Sequence, residues 1–297
     1  MEKEQKDKEL GALISLLDEP DNKMFDQIKE KIFTYGIDAV PSLENAWENS
    51  FDNLIQQRIE NIIHKIQFDS LFVELKKWSQ NNYKDLLHGF ILLSQYQYPD
   101  LDKDKITRQI SKIVQDIWLE LNNYLTALEK IKVINHILFD IHKFTSNKSN
   151  IYTPENFFIN NLLESKKGNP ISIGMLYIII AQSLKMPVYG VNLPKHFILA
   201  YSDEIKNEKF IVVKKDEVLF YINPFNKGAV FTRREIELFL KQLSLKHDKK
   251  YFNPCDNITI AKRFINELLT SYEKLGHQDK IYELKKLRKA LNKYTNS

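Results

Sequence analysis

The chain has 297 residues, 43% hydrophobic and 28% charged, which is enough for two ordinary domains with buried cores and excludes global disorder. Its 43 basic and 39 acidic residues leave a net charge of only +4, so no strong overall field makes nucleic acid the default partner. The single cysteine, Cys255, excludes an internal disulfide framework and any Cys-x-x-Cys zinc site.

The first residues, "MEKEQKDKEL", contain no apolar core of a secretory signal. The longest apolar run, "ISIGMLYIIIA" from Ile171 to Ala181, is about half the ~20 residues that a membrane span needs. A cytoplasmic protein with no membrane partner is expected, and the run reads as a buried helix.

Residues 1 to 145 read as helices almost throughout. Leu10, Leu13, Ile14 and Leu17 share one helical stripe, and "DEPDN" breaks it. Phe25, Ile28 and Ile32 make a second stripe, which Gly36 is placed to cap. Val40, Leu43 and Trp47 begin a third, and Ile55, Ile59, Ile62, Ile63 and Ile66 a fourth. The stretch "ALISLLDEPDNKMFDQIKEKIFTYGIDAVPSLENAW" has the form of one degenerate HEAT-type unit without a clean second copy. Further stripes follow at Ile106, Ile110, Ile113, Ile117 and Leu121, then at Leu128, Ile131, Ile134 and Leu138.

Near residue 145 the texture changes. "TSNKSNIYTPEN" is polar and rich in turn formers, and a helix "FFINNLLES" and a turn "KKGNP" lead into the apolar helix. The period then shifts from helical to extended. "VYGV", "HFILAY", "FIVV" and "VLFYI" read as strands, with "KKDE" turning between the last two and "NPFNKG" closing the region. Ala261, Phe264, Leu268, Tyr272 and Leu275 mark one closing helix, and Ile281, Leu284, Leu287 and Leu291 another. The expected class is α+β: a helical array over 1–145, a core of a buried helix on a small antiparallel sheet over 146–255, and a helical hairpin over 256–297.

Three features of the core belong together chemically. The turn Gly168 to Pro170 opens the buried helix, His196 sits in the second extended run, and Asn223 ends the fourth. A helix N-terminus and an imidazolium both stabilise a thiolate, and a third polar group orients the imidazole. That is the layout of papain-like and transglutaminase-like enzymes.

The stretch "NNLLESKKGNPISIGMLYIIIAQSLKMPVYGVNLPKHFILAY" resembles the core of the SirB-type transglutaminase-like family. The matching positions are Asn161, Leu163, Gly168, Pro170, Ile171, Ser172, Pro194, His196, Phe197, Pro224 and Phe225. Upstream, "YQYPDLD" and "INHILFDIHKF" also resemble the family, and the last two helices are similar to its tetratricopeptide-like tail, so the likeness covers residues 85 to 295. Transglutaminases proper carry cysteine at the start of the buried helix, where this chain has Pro170, Ile171 and Ser172; the SirB-type pattern commonly lacks it too. Asn223 stands where the family has aspartate.

The resemblance implies His196, Asn223 and Ser172 as candidate catalytic positions, and Pro170, Pro194, Phe197 and Phe225 as candidates for the walls of a ligand cleft. Ser172 has two readings, a nucleophile or a cap of the first helical turn. Cys255, in "FNPCDN", has two also, a structural thiol or a nucleophile on a loop folded back toward His196. His64, His88, His136, His142, His247 and His277 are scattered without metal-ligand spacing, and no glycine loop cradles a phosphate, so neither metal nor cofactor is expected. The basic end "ELKKLRKALNK" reads as a solvated helix face, because Glu273, Asp279 and Glu283 interleave upstream. The expected function is a thiol-silent module that binds a protein, peptide or other ligand, with no nucleic-acid partner. The alternative is a hydrolase or acyltransferase using His196 with Ser172 or Cys255.

Overall fold

The computed structural model describes residues 2–202, 218–246 and 248–292. They form a mostly helical protein with two small sheets, divided into compact units at Glu74/Leu75.

The first unit consists of α1 (Glu2–Ile14), α2 (Asn22–Phe33), α3 (Val40–Asn49) and most of α4 (Asn53–Lys77). Its core is built from the stripes read in the sequence: Leu10, Leu17, Ile28, Ile32, Leu43, Ile59, Ile62 and Ile66 are all buried. The Asp21 carboxylate caps α2 by accepting from the N–H groups of Lys23 and Met24. The helix ends at Thr34, and Gly36 follows in the left-handed region (φ 58°), opening a 3-10 turn into α3.

The second unit adds α5 (Leu86–Gln95), α6 (Lys103–Glu120), α7 (Ala127–Asn135), α8 (Ile159–Ser165) and α9 (Pro170–Ser183). The short strands β1 (Thr145–Ser146) and β2 (Lys167–Gly168) pair in parallel, tying the polar loop to the turn before α9. The main sheet runs β3 (Val188–Leu193), β4 (His196–Ser202), β5 (Val218–Asn223) and β6 (Ala229–Phe231), each antiparallel to the next. Then come α10 (Arg233–Gln242), α11 (Asn257–Leu275) and α12 (Gln278–Ala290).

Helix α9 is the centre of this unit. Every residue from Ile171 to Ala181 is buried, so it has no polar face and is packed all round. Pro170 occupies its first turn, where a missing N–H costs nothing. The helix read as "FFINNLLES" begins later, at Ile159. Phe158 is extended (φ −85°, ψ 139°), and the N–H of Ile159 donates to the buried Ser94 Oγ at 3.0 Å.

The strand "FIVV" and the turn "KKDE" lie outside the described residues. Past "NPFNKG" the sheet continues, because β6 pairs back onto β5 with Ile222 opposite Val230. A further helix, α10, then covers one face of the sheet. Its signals were present in the sequence, in the capping box of Thr232 with Glu235 and in Ile236 and Leu240 four apart.

Candidate functional site

The site positions of the core hang on β3 and β4. Their link is a two-residue turn, Pro194–Lys195, with proline first and a left-handed residue second (Lys195 φ 62°), the pattern of a type II turn. It places Leu193 opposite His196 and Asn192 opposite Phe197.

Because side chains alternate along a strand, this register decides which face each residue takes. Val191, Leu193, Ile198 and Ala200 pack with Ile236 and Leu240 of α10 and with Phe252. His196 shares their parity. Its ring meets Phe239 of α10 edge-on, with centroids 4.7 Å apart. Phe197 takes the opposite face, toward α9. It is fully buried, and its ring fills the space that a Cβ on Gly174 (2.6 Å) or on Gly190 (2.7 Å) would enter. Gly174 lies in α9 and Gly190 in β3, so the absence of two side chains makes the slot for the ring.

The α9 N-terminus is closed as well. Asn169 and Ser172 form a reciprocal capping box: Asn169 Oδ1 accepts from the Ser172 N–H at 2.9 Å, and Ser172 Oγ accepts from the Asn169 N–H at 3.1 Å. The Ser172 hydroxyl donates to the Asn156 carbonyl at 2.7 Å, and the residue has no exposed surface. It is a cap, with both hydrogen-bonding roles of its oxygen engaged. Replacing Ser172 with alanine is expected to lower stability by about 2 kcal/mol, since it removes a cap and leaves the Asn156 carbonyl and the Asn169 N–H only the long hydrogen bond, 3.4 Å, that they make to each other. Urea unfolding measures this, and an unchanged midpoint would return Ser172 to the list of free hydroxyls.

His196 and Ser172 are therefore not brought together, and among the described residues no hydrogen bond joins either of them to Asn223. His196 and the α9 N-terminus lie on opposite faces of the sheet. Among the described residues no hydrogen bond reaches the His196 ring. His196 is exposed, but partial desolvation by its neighbours, and then the nearby Arg263 guanidinium, lower its pKa from the ordinary histidine value. Asn223 Oδ1 accepts from the Asn226 N–H at 3.2 Å, capping the short turn Pro224–Asn226.

Of the expected cleft residues, Phe197 is core, Pro170 and Phe225 are half-buried, and Pro194 lines a cavity. That cavity, of about 450 Å³, is walled by Asn192, Pro194, Lys250, Tyr251, Cys255 and Thr259, and its size suits a small ligand or a side chain. Cys255 reaches it because its N–H donates to the Gly190 carbonyl at 2.8 Å, drawing the loop onto the edge of β3. Burial is the main cause that raises the thiol pKa, to about 12. Among the described residues no group of three or more His, Cys, Asp or Glu side chains is arranged to hold a metal.

Arg263 is the residue that the sequence reading missed. From α11 its Nη1 donates to Asn192 Oδ1 and to the Leu193 carbonyl, both at 2.7 Å, and its Nε pairs with Glu267 at 2.7 Å. Its guanidinium also lies 5.6 Å from the centre of the Phe197 ring. It clamps the β3–β4 turn beside the cavity. A lone arginine in an amphipathic helix offers no sequence signal of this role.

A family model described as the transglutaminase-like superfamily matches residues 104–266. A UPF0162 protein of Xylella fastidiosa is 24% identical over 201 residues, covering 66% of this chain and 67% of that protein. F-box only protein 21 of Homo sapiens is 25% identical over 260 residues, covering 79% of this chain but 40% of that protein. A UPF0162 protein of Vibrio cholerae is 21% identical over 184 residues, covering 61% of this chain and 64% of that protein. No solved structure matches. Among the described residues no helix is long and apolar enough to cross a membrane. With more than half of its length matched by the family model, the chain belongs to the transglutaminase-like superfamily.

Proposed function

We propose that this is a SirB-type member of the superfamily whose core, residues 146–255, performs no thiol chemistry and serves as a binding module. The helical region over 1–145, HEAT-like at its start, and a tetratricopeptide-like hairpin over 256–297 flank it and offer surfaces to a protein or peptide partner. One observation carries the reading: Phe197, not His196, faces the buried helix and fills the slot between Gly174 and Gly190. A thiol or serine mechanism needs a nucleophile within about 2.6–3.2 Å of the base, and no such contact to His196 occurs among the described residues. The cavity beside Pro194 and Cys255 is a place where a ligand or a partner's side chain fits.

The rival reading, a hydrolase or acyltransferase, has one feature in its favour: desolvation and Arg263 lower the His196 pKa, the direction that favours the neutral imidazole of a general base. Alkylation of Cys255 by iodoacetamide separates the two. The thiolate is the reactive form, and burial holds the thiol pKa at about 12, so reaction is expected to be slow at pH 7 and to rise only in alkali. Rapid alkylation near pH 6 that is lost in His196→Ala would establish an ion pair of thiolate and imidazolium and defeat the silent reading.

A further inference from the structure

The small net charge hides a segregation. Residues 1–74 carry 8 Lys and Arg against 16 Asp and Glu, a net charge of −8, and residues 75–297 carry 35 against 23, a net charge of +12. The change of sign coincides with the boundary between the compact units. In the second unit, an uncompensated part of the positive charge lies on the helix pair α11–α12.

This pair folds back at Gly276, and Arg288 Nη1 donates to Asn266 Oδ1 at 2.9 Å across it. Helix α12 buries Ile281, Leu284, Leu287 and Ala290. Its opposite face carries Tyr282, Lys285 and Lys289, three and four residues apart, and Tyr282 is 69% exposed. Glu273 and Asp279 sit by the turn, whereas Lys262, Arg288 and Lys289 lie toward the other end. Among the described residues Lys262, Lys285 and Lys289 have no carboxylate partner, and the partner of Arg288 is a neutral amide. The helix dipole accounts for cations in the last turn, Arg288 and Lys289. It accounts neither for Lys262 in the second turn of α11 nor for an exposed tyrosine amid the lysines. Like charges four apart on one face, Lys285 and Lys289, also weaken the helix.

We propose that this face of α11–α12 docks an acidic segment of a protein partner. Its carboxylates would meet Lys262, Lys285, Arg288 and Lys289, and an apolar side chain would cover the Tyr282 ring. An acidic segment fits better than nucleic acid. A long polyanion gains little steering from a whole chain of charge +4. A short segment responds to the local patch, because charges beyond a Debye length of about 8 Å are screened at physiological salt. The proposal rests on the reading of the 256–297 hairpin as a partner surface and gives that partner its chemistry, and it stands whether or not the core is catalytic.

The test is fluorescence anisotropy on the full chain with three labelled probes: a peptide of Glu and Asp with leucine at every fourth position, its Gln and Asn counterpart, and a single-stranded RNA of equal charge. The acidic peptide is expected to bind, to weaken as salt rises, and to lose about tenfold in affinity in Lys285→Glu/Lys289→Glu. Both lysines are exposed, so thermal unfolding of the variant should match the parent. Absence of binding, equal binding of the neutral peptide, affinity unchanged by the double reversal, or tighter binding of the RNA would each overturn the proposal.

Discussion

Replacing Phe197 with alanine is expected to destabilise the second unit by about 3–5 kcal/mol, the usual cost of emptying a fully buried aromatic site. The ring is bounded by α9 at Gly174, by β3 at Gly190 and by the Arg263 guanidinium of α11, elements that cannot close over the void without moving the sheet. Gly174→Ala attacks the same contact from the other side. A methyl group there would come within 2.6 Å of the Phe197 ring, and overpacking of this kind costs about 1–3 kcal/mol. The two sites must then couple. Gly174→Ala combined with Phe197→Leu should cost less than the sum of the single changes, because the smaller side chain admits the methyl. Urea midpoints of the four proteins measure the coupling, and strict additivity would mean that Phe197 does not fill the slot.

Gly228→Ala should be about as damaging. Gly228 has φ +70°, where a Cβ costs about 1–2 kcal/mol. The added Cβ would also collide with the Asn135 side chain. That side chain cannot easily yield. Its Nδ2 donates to the Gly228 carbonyl at 2.9 Å, and its Oδ1 accepts from the hydroxyl of Tyr177, buried in α9, at 2.8 Å. Displacing it leaves a buried phenol, whose pKa burial already holds far above the ordinary value, without its partner. The sum is a loss of about 3–4 kcal/mol. Asn135→Ala should itself destabilise, but Gly228→Ala added to it should cost little beyond the backbone strain, because the obstructing side chain is gone. A double variant as unstable as the sum of both singles would rule out that collision.

Much of the framework was readable from local chemistry. The apolar run after Gly168–Asn169–Pro170 could be little else than a buried helix, because proline sets its first turn, asparagine caps it, and no polar face exists to meet water. The stripes from Leu10 to Ile66 formed the core of the first unit because a period near 3.6 leaves a single apolar face to bury. Strand β6 was not readable, since three residues carry too little alternation. Helix α10 was readable from its capping box and the pair Ile236 and Leu240, but the turn-rich "NPFNKG" before it looked like the end of the region.

The site depended on tertiary structure at the point that matters most. "PKHFILAY" presents a histidine and a phenylalanine side by side, and alternation sends one to each face of the sheet. Nothing in the string says which face α9 will cover. The turn at Pro194–Lys195 set the register against β3, and the glycines at 174 and 190, remote from each other in sequence, made room for the ring rather than the imidazole. Cys255 is a similar case. Its loop is drawn to Gly190 by a single backbone hydrogen bond across sixty-five positions of sequence, and the burial that follows raises its thiol pKa. By itself the sequence determined most of the helices, the strands β3 to β5 and the family likeness, because propensity, capping and periodicity act within a few residues. Which side chains meet was decided only when helix and sheet packed, because face and contact arise between segments that no local pattern connects.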